Sequence, residues 1–202
     1  MRFRPTIVIP AAGFGSRFGG PVHKLQQAFQ GGTVLGLTVR HAVQTQLPVV
    51  VVTTAMLAQE VGQWLAVRDI VVLSAEEAAR GMGASIAAGV AQCSGAPGWL
   101  VLPGDMPLVR PSSILAVATA LEQHPVVYAQ YRGHRGHPVA FAAELYSELI
   151  VLRGDDGARR VSARYPAHGQ EVDDPGVLLD VDTAMDLQTL RQIGQAEPVR
   201  PA

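Results

Sequence analysis

A chain of 202 residues, 48 % apolar and 16 % charged, has the material for one folded domain and is not composed like a disordered segment. Its formal net charge of −1 lacks the basic excess that neutralises a phosphate backbone, so no nucleic-acid partner is expected. A single cysteine, Cys93, excludes an internal disulfide, and the longest apolar run, residues 47–52, is far too short for a membrane span. No signal-peptide core precedes the first glycines, so a cytoplasmic protein without a membrane partner is expected.

Apolar β-branched runs alternate with helical patterns along the chain. Strands are predicted at residues 6–9, 49–53, 70–73, 99–102 and 126–129. None alternates strictly between polar and apolar, as expected of a parallel sheet covered on both faces. Helices are predicted at 34–45, 55–67, 82–92 and 111–122, which makes the order strand, helix, strand. The expectation is an α/β fold with a Rossmann-like, doubly wound, mostly parallel sheet in one domain. Trp64 and Trp99 read as core residues, and Cys93 as a small, buried apolar one. After residue 130 the pattern loosens. A polar turn is predicted at 133–138, a short strand at 139–141, a helix at 143–151, and a last strand at 177–182. Thr183 then caps a final helix reaching about residue 194, so the domain is expected over 1–194 with a tail at 195–202.

Ligands of such sheets bind beyond the carboxyl ends of the strands. Two segments fall there. The first is the loop from Ala11 and Ala12 through Gly13, Gly15, Ser16, Arg17 and Gly19 to Lys24. Six glycines among residues 13–32 exceed the needs of one turn. Glycines let backbone N–H groups close on phosphates, and Arg17 and Lys24 add positive charge. A dinucleotide fingerprint is the rival reading, but it requires an acid after the second strand, where Thr53-Thr54-Ala55 stands. The second segment is Gly104-Asp105-Met106-Pro107, whose carboxylate is placed to hold Mg²⁺ or to serve as a turn aspartate. Asp180 and Asp182, two apart on the predicted strand, share a face and call for a cation. Asp182 is the preferred second metal ligand, and helix capping is its alternative role.

The order Ala11-Ala12-Gly13-x-Gly15-Ser16-Arg17, Lys24-Leu25, Gly81-Met82-Gly83-Ala84-Ser85, Gly104-Asp105-Met106-Pro107, Gly136-His137-Pro138, Gly154-Asp155-x-Gly157-Ala158-Arg159 and Asp180-x-Asp182-Thr183 resembles the MobA-like NTP transferases. Within them it is most similar to the molybdenum cofactor cytidylyltransferases, which share Ala-Ala-Gly in the loop. The resemblance spans residues 7–190. It departs at Phe18, where Met is usual, in a longer gap between Arg17 and Lys24, and at Ala184, where Pro is usual.

The resemblance implies a nucleotide-diphospho-sugar transferase type of fold and Mg²⁺-dependent nucleotidyl transfer. The nucleoside triphosphate, CTP by preference, would lie on Ala11, Ala12, Gly13, Gly15, Ser16, Arg17, Lys24, Gly83 and Ser85. Lys24, Arg17 and Asp105 would be catalytic, with the metal on Asp105 and Asp182. The acceptor implied is a phosphorylated pterin, molybdopterin or molybdenum cofactor, touched by His137 and Arg159, and a molybdoenzyme would receive the product. A guanylyl or other nucleotidyl transfer to a different acceptor, or a non-catalytic cofactor carrier, are the alternatives.

Overall fold

The computed structural model describes residues 3–15, 18–19, 21–155 and 157–196; Ser16, Arg17 and the predicted tail from 197 onward lie outside the described residues. Seven strands form one sheet: β1 (Thr6–Ala11), β4 (Val49–Thr54), β5 (Ile70–Leu73), β6 (Gly98–Val101), β7 (Val126–Tyr131), β8 (His134–Ala142) and β9 (Ala167–Glu171). A separate hairpin pairs β2 (Ala28–Phe29) with β3 (Gly32–Thr33). The order in the large sheet is β5-β4-β1-β6-β8-β7-β9. The pairs β5–β4, β4–β1, β1–β6 and β7–β9 are parallel, and β8 runs antiparallel to both its neighbours. This is the expected doubly wound, mostly parallel α/β fold.

Two layers of helix cover the sheet. The residues alternate across each strand, so one face collects Ile7, Ile9, Val51, Leu100 and Val127, and the other collects Val8, Val52, Trp99, Val126 and Phe141. The first face packs on α1 (Val34–Gln44), α2 (Ala55–Val61), α5 (Pro111–Ala120) and α8 (Ala184–Ala196). The second packs on α3 (Ala75–Ala78), α4 (Met82–Gln92), α6 (Tyr146–Leu149) and α7 (Arg159–Ser162). Both faces are therefore apolar, which is why β1 and β4 read as unbroken hydrophobic runs.

Several boundaries differ from the sequence reading. The helix expected to 67 stops at Val61, because Gly62 follows and a 3-10 turn occupies Val67–Asp69; Trp64 consequently lies 42 % exposed instead of in the core. The helix expected at 143–151 is a 3-10 turn followed by the single turn of α6. The turn expected at 133–138 is confined to Arg132 and Gly133, both at positive φ, so Gly136-His137-Pro138 lies inside β8. The His137–Pro138 peptide bond is cis.

The strand expected at 177–182 is not formed. Residues Pro175–Leu178 make a 3-10 turn and 179–182 an unpaired connection. Its apolar residues are there to plug the core: Val177 and Val181 are fully buried. The turn is wedged between two other backbones. A Cβ on Gly136 would lie 2.2 Å from the Val177 carbonyl oxygen, and one on Gly176 2.2 Å from that of Leu108. Only glycine at those positions permits such an approach. Asp174, 2 % exposed, starts the wedge: it accepts hydrogen bonds from the Gly176 and Arg110 N–H groups and the Ser113 hydroxyl.

Candidate active site

A cleft of about 1220 Å³ opens beyond the carboxyl ends of β1 and β6. Ala11, Ala12, Gly13, Phe14 and Gly15 line it from the end of β1, and Pro103, Asp105 and Met106 from the end of β6. In the glycine loop, Gly15 is at φ +62°, a conformation that L side chains adopt with strain. His23 fastens this loop to the Lys24 turn. Its Nδ1 accepts the Leu25 N–H at 3.2 Å, which leaves Nε2 to donate to the Gly13 carbonyl oxygen at 2.8 Å. Nothing in the sequence distinguishes His23 for this task except its place beside Lys24.

The centre of the cleft is charged. The Lys24 ammonium donates to the Asp105 carboxylate at 2.6 Å and to that of Asp182 at 3.0 Å. Burial works against the Lys24 charge, but Asp105, with Asp182, outweighs it and raises the pKa above the ordinary 10.5. Asp105, Asp180 and Asp182 each offer an oxygen within 4.8 Å of the others. Burial raises the Asp180 pKa, and the charges of Asp105 and Asp182 raise it further. Three carboxylates grouped together, two of them bonded to one ammonium, form a hard oxygen donor set, which fits a divalent cation such as Mg²⁺ or Mn²⁺.

Asp105 and Asp182 are 77 positions apart, and one backbone hydrogen bond joins their segments: the Val181 N–H donates to the Asp105 carbonyl oxygen at 3.0 Å. Helix capping does not occupy Asp182. Thr183 and Asp186 form that cap, the Thr183 hydroxyl accepting the Asp186 N–H and the Asp186 carboxylate accepting the Thr183 N–H.

The remaining wall comes from β8 and α7. Arg135, His137, Arg159 and Ser162 line the cleft, whereas His134 does not. Residues 135 and 137 share a face of β8, and 134 points the other way. Burial lowers the His137 pKa to about 4; Arg135 and Arg159 act in the same direction and Asp105 against it, so the imidazole is neutral at pH 7. From α4, Met82 and Ser85 reach the cleft, and Ser85 is 3 % exposed. Gly83 does not reach it. Its N–H donates to the Gly154 carbonyl oxygen at 2.9 Å, and a Cβ there would lie 2.7 Å from the Arg153 nitrogen. This glycine docks α4 on the 153–155 loop.

Fold and cleft define a class: doubly wound α/β proteins that present a glycine loop and a carboxylate cluster to one nucleotide-sized cavity. The chain belongs to the MobA-like NTP transferase family, whose domain profile matches residues 7–171. The purine catabolism protein PucB of Bacillus subtilis (strain 168) is 30 % identical over 122 residues, 58 % of this chain and 59 % of PucB. Rv0371c from Mycobacterium tuberculosis H37Rv superposes with a TM-score of 0.78 at 28 % identity, covering 94 % of this chain and 98 % of that one. The manganese complex of Rv0371c superposes with a TM-score of 0.77. A nucleotidyl transferase from Methanothermobacter thermautotroptrophicus (Mth528) gives 0.76 at 25 % identity, covering 96 % and 98 %. The match to PucB spans little more than half of the length of that protein. Among the described residues no helix is long and apolar enough to cross a membrane.

Proposed function

We propose that the protein is a cytoplasmic, Mg²⁺-dependent cytidylyltransferase that moves CMP from CTP onto the phosphate of molybdopterin or its molybdenum-bearing form and releases pyrophosphate. The observation that carries this reading is the cluster of Asp105, Asp180 and Asp182, two of them bonded to Lys24, at the mouth of the glycine loop. A non-catalytic carrier has no use for such a cluster. The likeness of a manganese-bound relative supports a divalent cation at these carboxylates. The base and acceptor rest on the Ala11-Ala12-Gly13 resemblance, which implies the cytosine dinucleotide cofactor used by xanthine-dehydrogenase-type enzymes.

In this reading the backbone of Ala11, Ala12, Gly13, Gly15 and Ser16 and the side chains of Arg17 and Ser85 hold the nucleotide. An ammonium has three N–H donors, and Lys24 commits two to carboxylates, so one remains for a phosphate oxygen. An oxygen of the acceptor phosphate attacks the α-phosphorus, and the bond from that phosphorus to pyrophosphate breaks. The acceptor phosphate is already anionic and needs no strong base, so positioning and charge neutralisation carry the catalysis. Mg²⁺ held by Asp105 and Asp182 would supply Lewis-acid neutralisation of the phosphate charge. Neutral His137 and Arg159 hold the acceptor, and a molybdoenzyme receives the product.

Pyrophosphate release with CTP, GTP and ATP, each with and without molybdenum cofactor, tests this. Release only with CTP plus cofactor is the expected result. Release with GTP alone of the three would reassign the base, and release with none would end the enzymatic reading.

A further inference from the structure

The cleft carries cationic side chains besides the lysine held in its carboxylate cluster. Lys24 is neutralised by Asp105 and Asp182. Arg135 and Arg159 line the same cleft, and neither has a carboxylate partner among the described residues. A guanidinium without a counter-ion beside a cavity is a binding group for an anion that enters it.

Arg135 is the better built of the two. Its guanidinium lies over the Tyr128 ring, 4.5 Å from the centroid. It also donates to the Ser162 hydroxyl oxygen at 2.9 Å, and that hydroxyl spends its own proton on the Arg159 carbonyl oxygen at 3.0 Å. Ser162 is 4 % exposed, so this joint between β8 and α7 is sheltered. One face and one N–H of the fork are fixed, and its remaining donors have no protein partner among the described residues. Fixing the fork in advance reduces the entropy lost when an anion binds.

We propose that Arg135 is the residue that grips the anionic group of the acceptor, a phosphomonoester, with Tyr128 and Ser162 as the positioning residues that hold it ready. This rests on the two-substrate reading above and adds to it a residue whose only sequence signal was its place in a basic turn. Strand alternation selects Arg135 along with His137 and turns His134 away.

The test uses the full chain with Mg²⁺ and a CTP analogue bearing a methylene bridge between the α- and β-phosphates. Phenyl phosphate is then titrated in and followed by calorimetry. The wild type should bind it saturably, Arg135→Met about tenfold or more weakly, and Arg135→Lys in between, because a point charge lacks the fork. Tyr128→Leu should weaken it by a smaller factor. Affinity for the CTP analogue and the thermal midpoint should not change in any of these variants. Equal binding of phenyl phosphate by wild type and Arg135→Met, no binding by the wild type, or a parallel loss of nucleotide affinity would overturn the proposal. If the wild type binds phenyl phosphate through Arg135 yet releases no pyrophosphate with molybdenum cofactor, the proposal stands and the acceptor assignment fails.

Discussion

The two halves of the cleft are built by different means. Before residue 107 the chain contributes strand ends and backbone: the glycine loop, the Gly104 turn, and one lysine held between carboxylates. After residue 107 it contributes side chains, Arg135, His137, Arg159, Asp180 and Asp182, carried on an antiparallel strand, a short helix and a connection wedged against glycines. A backbone-lined wall depends on loop geometry and tolerates changes of side chain. A side-chain wall depends on residue identity and on the close contacts that aim each residue. On the proposed function, the first half serves a feature shared by all nucleotides, the second whatever distinguishes one acceptor from another.

The largest effect is expected where the halves meet. Asp105→Asn removes one charge from the cluster while keeping its shape, and pyrophosphate release should fall on the order of a thousandfold with the fold intact by circular dichroism. Retained turnover would separate the backbone half from the chemistry altogether. Lys24→Met should lower turnover on the order of a hundredfold. It should also make Mn²⁺ alone bind more tightly, because the ammonium no longer competes for Asp105 and Asp182; weaker Mn²⁺ binding by electron paramagnetic resonance would contradict the bridge as a competitor.

Gly136→Ala probes the side-chain half through its packing. The added methyl meets the Val177 carbonyl, and the cost should be about 3 kcal/mol, visible in denaturant unfolding. Preserved stability would mean the wedge yields easily. The smallest effect is on pH dependence. His137 titrates at about 4 in the folded chain against an ordinary 6.5, so the unfolded chain binds more protons between those values. Stability from this residue is fully present above 6.5 and falls as pH drops through the window; His137→Asn should flatten that slope, and an imidazole midpoint near 6.5 by NMR would refute the burial argument.

The backbone half was the more legible in the sequence. Strands β1, β4 and β6 declare themselves because both their faces are buried, and β5 by its unbroken apolar run, and the glycines mark the loop after β1. The acceptor half was less so. The edge strand β9, Ala167–Glu171, is polar and mostly solvent-facing, so no hydrophobic period reveals it. Residues 177–182 carry strand-like composition, but their apolar side chains fill the core while the backbone is wedged by Gly136 and Gly176, a contact between distant segments that no local pattern encodes. The carboxylates were found by type and spacing, with a strand as the wrong reason. Asp174 has a local signal, an aspartate before Pro175-Gly176, whereas Arg135 needs the register of β8 to separate it from its neighbours.

The single backbone bond from Val181 to Asp105 has a consequence for the order of synthesis. On the ribosome the glycine loop, Lys24 and Asp105 all emerge before the segment that closes the cluster. Until that segment follows, the nascent chain holds a lysine and one aspartate but not the pair of carboxylates that completes the set. The carboxylate cluster therefore cannot be assembled until Asp180 and Asp182 have left the exit tunnel and the wedge has docked. On the proposed function, activity is withheld from every chain that stops short of Asp182, and metal uptake by the nascent protein would report that the wedge has docked.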